Sequence, residues 1–183
     1  MKKLTYFLPL AVLVVVGFFA ILQLKQVSEG KSVNLLPSVL INREVAPFAM
    51  PGIQGHGKGW GSKDLVGQVT LVNLFGSWCV ACLSEHPFLM RIKDQNLIPI
   101  YGVDWREKDP AAGPRWLAKY GNPYTLIGND PQSKVAISFG VTGAPESFLV
   151  DKKGVIRYKQ TGPISSSVWK KTLWPLIQEL RKE

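Results

Sequence analysis

Two cysteines, Cys79 and Cys82, are the only ones in the chain, and they lie in the sequence Trp78-Cys79-Val80-Ala81-Cys82. A disulfide between residues this close constrains the unfolded chain very little, because loop-closure stabilisation grows with loop length. The pair is therefore poorly suited to a structural role and favours a redox-active disulfide that exchanges with thiols. In such exchange, Cys79 would be the nucleophile that attacks a substrate disulfide, and Cys82 would resolve the mixed disulfide.

Haem and zinc sites also use the C-x-x-C spacing, but neither fits the surrounding sequence. Haem attachment requires a histidine directly after the second cysteine, and that position is Leu83. A zinc site requires four ligands, and only His56 and His86 could join the cysteines. His56 lies far upstream among glycines, and His86 is interpreted as a surface or loosely structural residue. We therefore predict no metal and no cofactor.

The elements around the cysteines place them between a strand and a helix. Val69–Phe75 is a β-branched and apolar run that predicts a strand buried on both faces. Cys79 to about Gln95 shows helical spacing, with a kink expected at Pro87. Cys79 would then face the unpaired N–H groups and the positive dipole of a helix N-terminus, which lowers a thiol pKa. Trp78 would shield one side of its sulfur, or would simply be a core residue.

The remaining pattern predicts an α/β fold, with one central mixed sheet flanked by helices on both faces. A parallel strand–helix–strand unit would form its first half, and an antiparallel hairpin its second. A glycine-rich loop is expected at Pro47–Lys63. The other predicted elements are a strand at Leu97–Val103, a helix from Asp109 to about Tyr120, a strand at Tyr124–Ile127, a helix at Pro131–Phe139, strands at Ser147–Val150 and Val155–Gln160, and a last helix capped by Ser165 or Ser167.

The N-terminal segment predicts a membrane anchor. Leu4–Leu24 carries no charged side chain, and about 20 apolar residues in a helix span a bilayer. A cleaved signal peptide is the alternative, but its apolar stretch would be shorter and would end in a small-residue cleavage site. Lys2 and Lys3 would hold the N-terminus in the cytoplasm. The predicted divisions are an anchor at 1–25, a linker at 26–40 and a folded domain at 41–183, on the far side of the membrane.

Composition and charge exclude some broad classes of protein. An apolar share of 46% with 19% charged residues is unlike a disordered chain. The net charge of +9 could attract anionic partners. The basic residues are scattered in short pairs without a long basic run, which is typical of an ordinary solvated surface. No nucleic-acid partner is therefore expected.

Beyond the cysteines, the sequence resembles the thioredoxin superfamily and, within it, the membrane-anchored DsbE/CcmG family of cytochrome c maturation. The resemblance covers most of Ile41 to Glu183 and suits the predicted anchor. The Val-Ala dipeptide between the cysteines departs from the more familiar proline followed by Thr or Ser, so redox properties cannot simply be carried over. The stretches that carry the resemblance are N-L-F-G-S-W-C-V-A-C-L-S-E-H at 73–86, G-N-P-Y at 121–124, G-V-T-G-A-P-E-S-F-L-V-D at 140–151 and G-V-I-R-Y at 154–158.

The resemblance implies roles for residues distant from the cysteines in sequence. It implies a cis Ala144–Pro145 bond beside the disulfide, with residue 144 offering its backbone N–H and C=O to a substrate strand. It also places Glu85 and Glu146 near the disulfide, where a carboxylate would raise the thiol pKa and make the site more reducing. The alternative is that Glu85 is a solvated helix residue and Glu146 only a strand-end residue. Asp104 and Trp105 could line the site.

The function implied by the resemblance is a periplasmic thiol:disulfide oxidoreductase of the inner membrane. It would reduce the haem-binding cysteines of apocytochrome c, directly or through another thiol protein of the assembly pathway, and a DsbD-like membrane reductase would recharge it. One alternative is a different periplasmic thioredoxin-like oxidant or general reductant. Another is a redox-inert domain that binds and presents apocytochrome.

Overall fold

A computed structural model of the protein describes residues 8–28 and 38–183. The chain divides into two compact units, with the boundary between Leu36 and Pro37. The described part of the first unit is helix α1, Leu8–Ser28. Within the described residues, no helix combines the length and apolarity needed to cross a membrane. The start of the predicted anchor and residues 29–37 of the predicted linker lie outside the described residues.

The second unit contains a five-stranded mixed sheet, as the sequence predicts. The strand order is β5-β4-β3-β6-β7, with β3, β4 and β5 parallel and with β6 and β7 antiparallel to their neighbours. The connections between parallel strands contain helices, because a parallel pair needs a long crossover. The strands are β3 Thr70–Phe75, β4 Ile100–Trp105, β5 Leu126–Asp130, β6 Glu146–Val150 and β7 Ile156–Thr161, and the helices are α2 Val80–Asp94, α3 Ala112–Tyr120 and α4 Lys134–Ser138.

Alternating side chains of the sheet build a hydrophobic core on each face. Leu71 and Phe75 of β3 point to one face, and Val72 and Leu74 point to the other. The first face is covered by α2, α3 and the C-terminal helical segment, whereas α4 packs on the second. All six residues of β3 are buried, and all are apolar except Thr70 and Asn73. This composition is expected of a strand that is covered on both faces.

The glycine-rich segment contains more structure than the predicted loop. Strands β1, Ala49–Pro51, and β2, Gly59–Gly61, form an antiparallel pair that packs on the second face of the sheet. Gly59 has a positive φ of 88°, and a Cβ there would lie 2.1 Å from the Met50 carbonyl oxygen, so only glycine fits this close approach. The prediction missed the pair because each strand has only three residues.

Two other boundaries differ from the prediction for local reasons. Helix α3 begins at Ala112 because the Asp109 side chain accepts a hydrogen bond from the Ala111 N–H (2.9 Å), which makes Asp109-Pro110 part of a turn. Strand β4 continues through Asp104 and Trp105, since both keep their pairing with β5. The side chain of Asp104 is therefore buried at the end of a strand rather than in a loop.

The C-terminal segment is helical, as predicted, and Ser165 is its cap. The Ser165 hydroxyl accepts a hydrogen bond from the Val168 N–H. A wider π-helical turn, Trp169–Leu173, separates α5, Ser166–Val168, from α6, Trp174–Leu180. Pro175 follows this turn and has no N–H to continue the regular helical hydrogen bonds. In α2, by contrast, the helix continues through Pro87.

Candidate active site

The two cysteines form a disulfide at the junction of β3 and α2. The S–S distance is 2.05 Å and the Cα atoms are 5.2 Å apart. Cys79 is the N-terminal cap of α2, and its sulfur accepts a hydrogen bond from the Cys82 N–H (3.1 Å). A thiolate at this position would meet the same N–H and the positive end of the helix dipole. The geometry therefore suits Cys79 as the nucleophile.

The surface around the disulfide is apolar and open. Both sulfur-bearing residues are buried, but Trp78 is 50% exposed and Val80 84% exposed. The Trp78 indole N–H donates to the Trp105 carbonyl oxygen (3.0 Å), and the two rings pack edge to face. Trp78 is thus a fixed wall beside Cys79 and not a core residue. Exposed apolar side chains around a reactive disulfide suit contact with a protein partner.

The peptide bond between Ala144 and Pro145 is cis. Glu146, which follows it, pairs with Leu74 near the end of β3 from which the chain continues to the cysteines. Ala144 packs against the hydrophobic cluster that contains both cysteines. The sheet thus brings the cis peptide to the same end of β3 as the disulfide. The role of Ala144 in holding a substrate strand stays a prediction.

Glu85 lies in a buried polar network and is not a solvated helix residue. It is only 2% exposed and follows Cys82 by three residues, so both lie on the same face of α2. Its two oxygens accept hydrogen bonds from the Asn73 amide (2.9 Å) and from the Ile164 N–H (2.8 Å). Asn73 also bonds Ser147 and accepts from the Tyr124 hydroxyl (2.8 Å). The carboxyl group is thus fixed on α2 one helical turn after Cys82.

Burial raises the pKa of Glu85 from 4.5 to about 7, against the opposing effect of its hydrogen bonds to Ile164 and Asn73. Burial also raises the pKa of Tyr124 well above its ordinary value, and the nearby charge of Glu85 adds to this. The Tyr124 hydroxyl therefore stays protonated as the donor to Asn73. A carboxyl group with a pKa near neutrality can hold or release a proton at physiological pH.

Glu146, the second predicted carboxylate, has a different environment. Its side chain is buried and forms an ion pair with Lys159 (3.0 Å). It also accepts hydrogen bonds from the hydroxyl and N–H groups of Thr142. Because an adjacent ammonium balances its charge, Glu146 has less effect on a nearby sulfur than an unpaired carboxylate would.

His86 is buried and is not a surface residue, so that part of its interpretation is wrong. Only 2% of it is exposed, its Nε2 bonds the Gly121 carbonyl oxygen (3.1 Å), and its ring packs edge to face on Trp116. Burial lowers the pKa of His86. The sequence missed this because α2 buries residues on both sides of Pro87. The contact of His86 with Gly121 is structural, since it joins α2 to the segment that precedes Tyr124.

A second group of polar residues lies at the end of β4, beside the turn that precedes Cys79. Glu107 accepts hydrogen bonds from both the N–H (2.5 Å) and the hydroxyl (2.9 Å) of Ser77. Asp104 is 1% exposed, and its Oδ1 finds no hydrogen-bond partner among the described residues. Burial, the charge of Glu107 and a hydrogen bond to Glu107 together raise the pKa of Asp104 to about 7, with burial the largest cause.

Sequence reasoning missed Asn73, Tyr124 and Glu107. The signal for Asn73 was its amide in a buried apolar strand, which requires hydrogen-bond partners. Tyr124 entered the sequence analysis only as the start of a predicted strand and within a stretch of family resemblance. Glu107 lies in an exposed charged loop, where no local pattern distinguishes it from its neighbours.

Comparison with known proteins places this site in a family context. A family model described as Redoxin matches residues 41–173. The chain is 38% identical over 183 residues to the thiol:disulfide interchange protein DsbE of Pseudomonas aeruginosa, covering 100% of this chain and 98% of that one. It is 39% identical over 142 residues to DsbE of Allochromatium vinosum, covering 78% of each.

Solved structures share the same fold. The crystal structure of the thioredoxin domain of a thiol-disulfide oxidoreductase from Bacteroides vulgatus matches with a TM-score of 0.63 at 18% identity, covering 76% of this chain and 99% of that one. At this identity, the likeness concerns the fold alone. It agrees with the predicted thioredoxin-like α/β architecture.

Proposed function

The chain belongs to the Redoxin family, among the DsbE thiol:disulfide interchange proteins, and on this basis we propose that it reduces apocytochrome c cysteines or a thiol protein of their assembly pathway. It is a thiol:disulfide oxidoreductase that works through the Cys79–Cys82 pair. The observation that carries the reducing direction is the buried Glu85 below Cys82. The proposal that its substrate is a cytochrome rests on the family resemblance.

The reaction exchanges two electrons between two pairs of sulfurs. The Cys79 thiolate attacks one sulfur of the substrate disulfide, forms a mixed disulfide and releases the other substrate sulfur as a thiolate. Cys82 loses its proton and attacks the Cys79 sulfur, which forms the intramolecular disulfide and releases the second substrate thiol. The substrate is reduced by two electrons, and the protein ends as the disulfide form seen in the structure.

Glu85 would act on the site in two ways, of which the first favours the reducing direction and the second speeds the resolving step. When ionised, its charge disfavours a thiolate nearby, which raises the thiol pKa and stabilises the reduced form less. Its raised pKa of about 7 also allows it to take the proton that Cys82 must lose before it attacks. Glu146 contributes less because Lys159 balances its charge. Glu85 is therefore the principal tuning group of the site.

The proposed location rests on the sequence. An uncharged segment at Leu4–Leu24, preceded by Lys2 and Lys3, would anchor the chain in the inner membrane with its N-terminus in the cytoplasm. The linker at 26–40 would then carry the domain at 41–183 in the periplasm. A DsbD-like membrane reductase would return the site to the dithiol form. Anchoring would raise the local concentration near other membrane partners.

Trapping tests the proposal. In a Cys82→Ala variant, the mixed disulfide with Cys79 cannot be resolved, so the full chain should retain its substrate through a bond that dithiothreitol breaks. Recovery of apocytochrome c or of an assembly-pathway thiol protein supports the proposal. The Cys79→Ala/Cys82→Ala double variant is the control and should trap nothing. Normal cytochrome maturation in cells that contain only this double variant would overturn the redox role and favour a presenting domain.

A further inference from the structure

A cleft of about 510 Å³ lies between Trp78, the residue before Cys79, and the β4–α3 loop. This volume lies within the range of sites that hold a ligand group. One wall is the exposed face of the Trp78 indole, directly next to Cys79. The opposite side is formed by the start of α3 and by the loop. The lining residues are Trp78, Arg106, Glu107, Lys108, Asp109 and Ala112.

The cleft is held in shape by hydrogen bonds that do not involve a ligand. The Trp78 indole N–H is fixed on the Trp105 carbonyl oxygen, and Glu107 holds both the N–H and the hydroxyl of Ser77. On the far side, Asp109 accepts hydrogen bonds from the Ala111 N–H and from the Arg115 guanidinium. Because its walls are fixed in advance, the cleft can accept a side chain with little ordering of its own residues.

The cleft is lined by two carboxylates and two cations, and these charged groups differ in their partners. Glu107 is engaged by Ser77, and Asp109 is paired with Arg115. Arg106 and Lys108 are exposed at the rim, and the Arg106 guanidinium lies over the Trp105 ring. The cleft therefore presents an indole face and the Ala112 methyl group as an apolar floor, with two cations beside it.

We propose that this cleft is a recognition subsite for the partner polypeptide, and that it takes a large apolar side chain from a neutral or acidic segment flanking the partner's reactive cysteine. Disulfide exchange joins a partner sulfur covalently to Cys79, so the chain that carries this sulfur must cover the adjoining surface. An apolar side chain there would bury the exposed face of Trp78. Nearby carboxylates would meet Arg106 and Lys108. This inference rests on the proposed function and adds substrate selection to it.

Matched peptides provide the test. Each peptide contains one intramolecular C-x-x-C disulfide in a neutral background, with a single leucine placed at one of the three positions on either side, and a serine peptide serves as reference. The reduced full chain should reduce the best leucine peptide about tenfold faster than the serine peptide, since one large apolar side chain becomes buried. Replacing neighbouring neutral residues by glutamate should increase the rate further, and replacing them by lysine should decrease it.

Variants assign the selectivity to the cleft. Ala112→Leu places a larger side chain on the apolar floor of the cleft and should abolish the leucine preference, so that leucine and serine peptides react at equal rates. Lys108→Glu should reverse the preference for acidic over basic peptides. Lys134→Glu makes the same charge change on exposed α4 and should keep both preferences. Each rate is divided by the rate with oxidised glutathione for the same variant.

The outcomes separate the subsite from the general redox function. A protein that reduces every peptide at one rate, or an Ala112→Leu variant that keeps the leucine preference, overturns the subsite and leaves the oxidoreductase role intact. A wild-type chain that reduces neither peptides nor oxidised glutathione contradicts the proposed function itself.

Discussion

Two buried carboxyl groups of the domain, Glu85 and Asp104, differ in the hydrogen bonds that the protein gives them. Glu85, below Cys82, receives hydrogen bonds on both oxygens from fixed donors. Asp104, at the end of β4, has an Oδ1 without a partner in the described part of the chain and has a second carboxylate, Glu107, beside it. Burial raises both pKa values to about 7. A similar pKa thus arises in two environments: Glu85 has hydrogen bonds to both oxygens, whereas Asp104 lacks a partner for Oδ1 among the described residues and lies beside Glu107.

Because its hydrogen bonds are satisfied, Glu85 can ionise at a lower cost to stability than Asp104. A raised carboxyl pKa means that the folded state binds the proton more tightly than the unfolded state between pH 4.5 and about 7 for Glu85. Stability therefore falls as pH rises through this window, by on the order of 3 kcal/mol. Fixed donors limit this loss for Glu85. Asp104 has Glu107 as its neighbour, whose charge and hydrogen bond both favour the protonated form, so its ionisation is the less compensated of the two.

The largest expected effect comes from breaking the network around Glu85. Asn73→Ala removes the amide that joins Glu85, Ser147 and Tyr124 and leaves their polar groups without this partner. We expect a loss of about 3 kcal/mol in the free energy of unfolding and a further rise in the Glu85 pKa. Urea denaturation at pH 6 measures the loss. A change below about 1 kcal/mol would mean that the network does not stabilise the fold.

The next effect concerns the pH dependence of stability. Glu85→Gln removes the group that binds a proton on folding, so the decline in stability between pH 4.5 and 7 should become shallower by on the order of 3 kcal/mol. The variant keeps the part of the decline in stability that comes from the ionisation of Asp104. The measurement is a series of denaturation curves from pH 4.5 to 8 for both proteins. Parallel stability profiles would show that Glu85 titrates with an ordinary pKa.

Asp104→Asn should stabilise the protein at pH 8, in contrast to Asn73→Ala. The amide keeps the shape of the side chain, removes the buried charge and supplies an N–H donor near Glu107. We expect a gain of about 1–2 kcal/mol at pH 8 and little change at pH 5, where Asp104 is already protonated. Thermal unfolding at the two pH values provides the check. Destabilisation at pH 8 would contradict the unsatisfied state of this carboxyl group.

The smallest effect is expected for Glu107→Gln. The amide oxygen keeps one hydrogen bond with Ser77 and loses the other, for a loss of about 1 kcal/mol. Removal of the neighbouring charge should also lower the Asp104 pKa, which carboxyl NMR titration can follow. An unchanged Asp104 pKa would show that burial alone sets its value.

Much of the fold and the reactive centre was predictable from the sequence, because both depend on local patterns. The order of buried strands and helices gave the mixed sheet, and the spacing of Cys79 and Cys82 at a strand–helix junction gave the redox pair. The buried state of Glu85 was not predictable from helical spacing. It depends on donors from Asn73 and Ile164, which are distant in sequence and meet only in the folded sheet.

The same limit applies to the loop between β4 and α3. Glu107 and Asp104 lie in a charged stretch that resembles any exposed loop, and the contact with Ser77 spans 30 residues. Only the pairing of β3 with β4 brings the end of β4 to the turn before Cys79. Local sequence could indicate that the cysteines react, but tertiary contacts determine which charges surround them.

The reduction potential of the Cys79–Cys82 pair tests whether this is a reducing thiol–disulfide site tuned by Glu85. The full chain is equilibrated with glutathione or dithiothreitol redox buffers at pH 7, and the disulfide fraction is measured by thiol alkylation. We predict a potential more negative than about −180 mV, with a less negative value for Glu85→Gln. A wild-type potential near −120 mV, typical of a strong oxidant, would contradict the account.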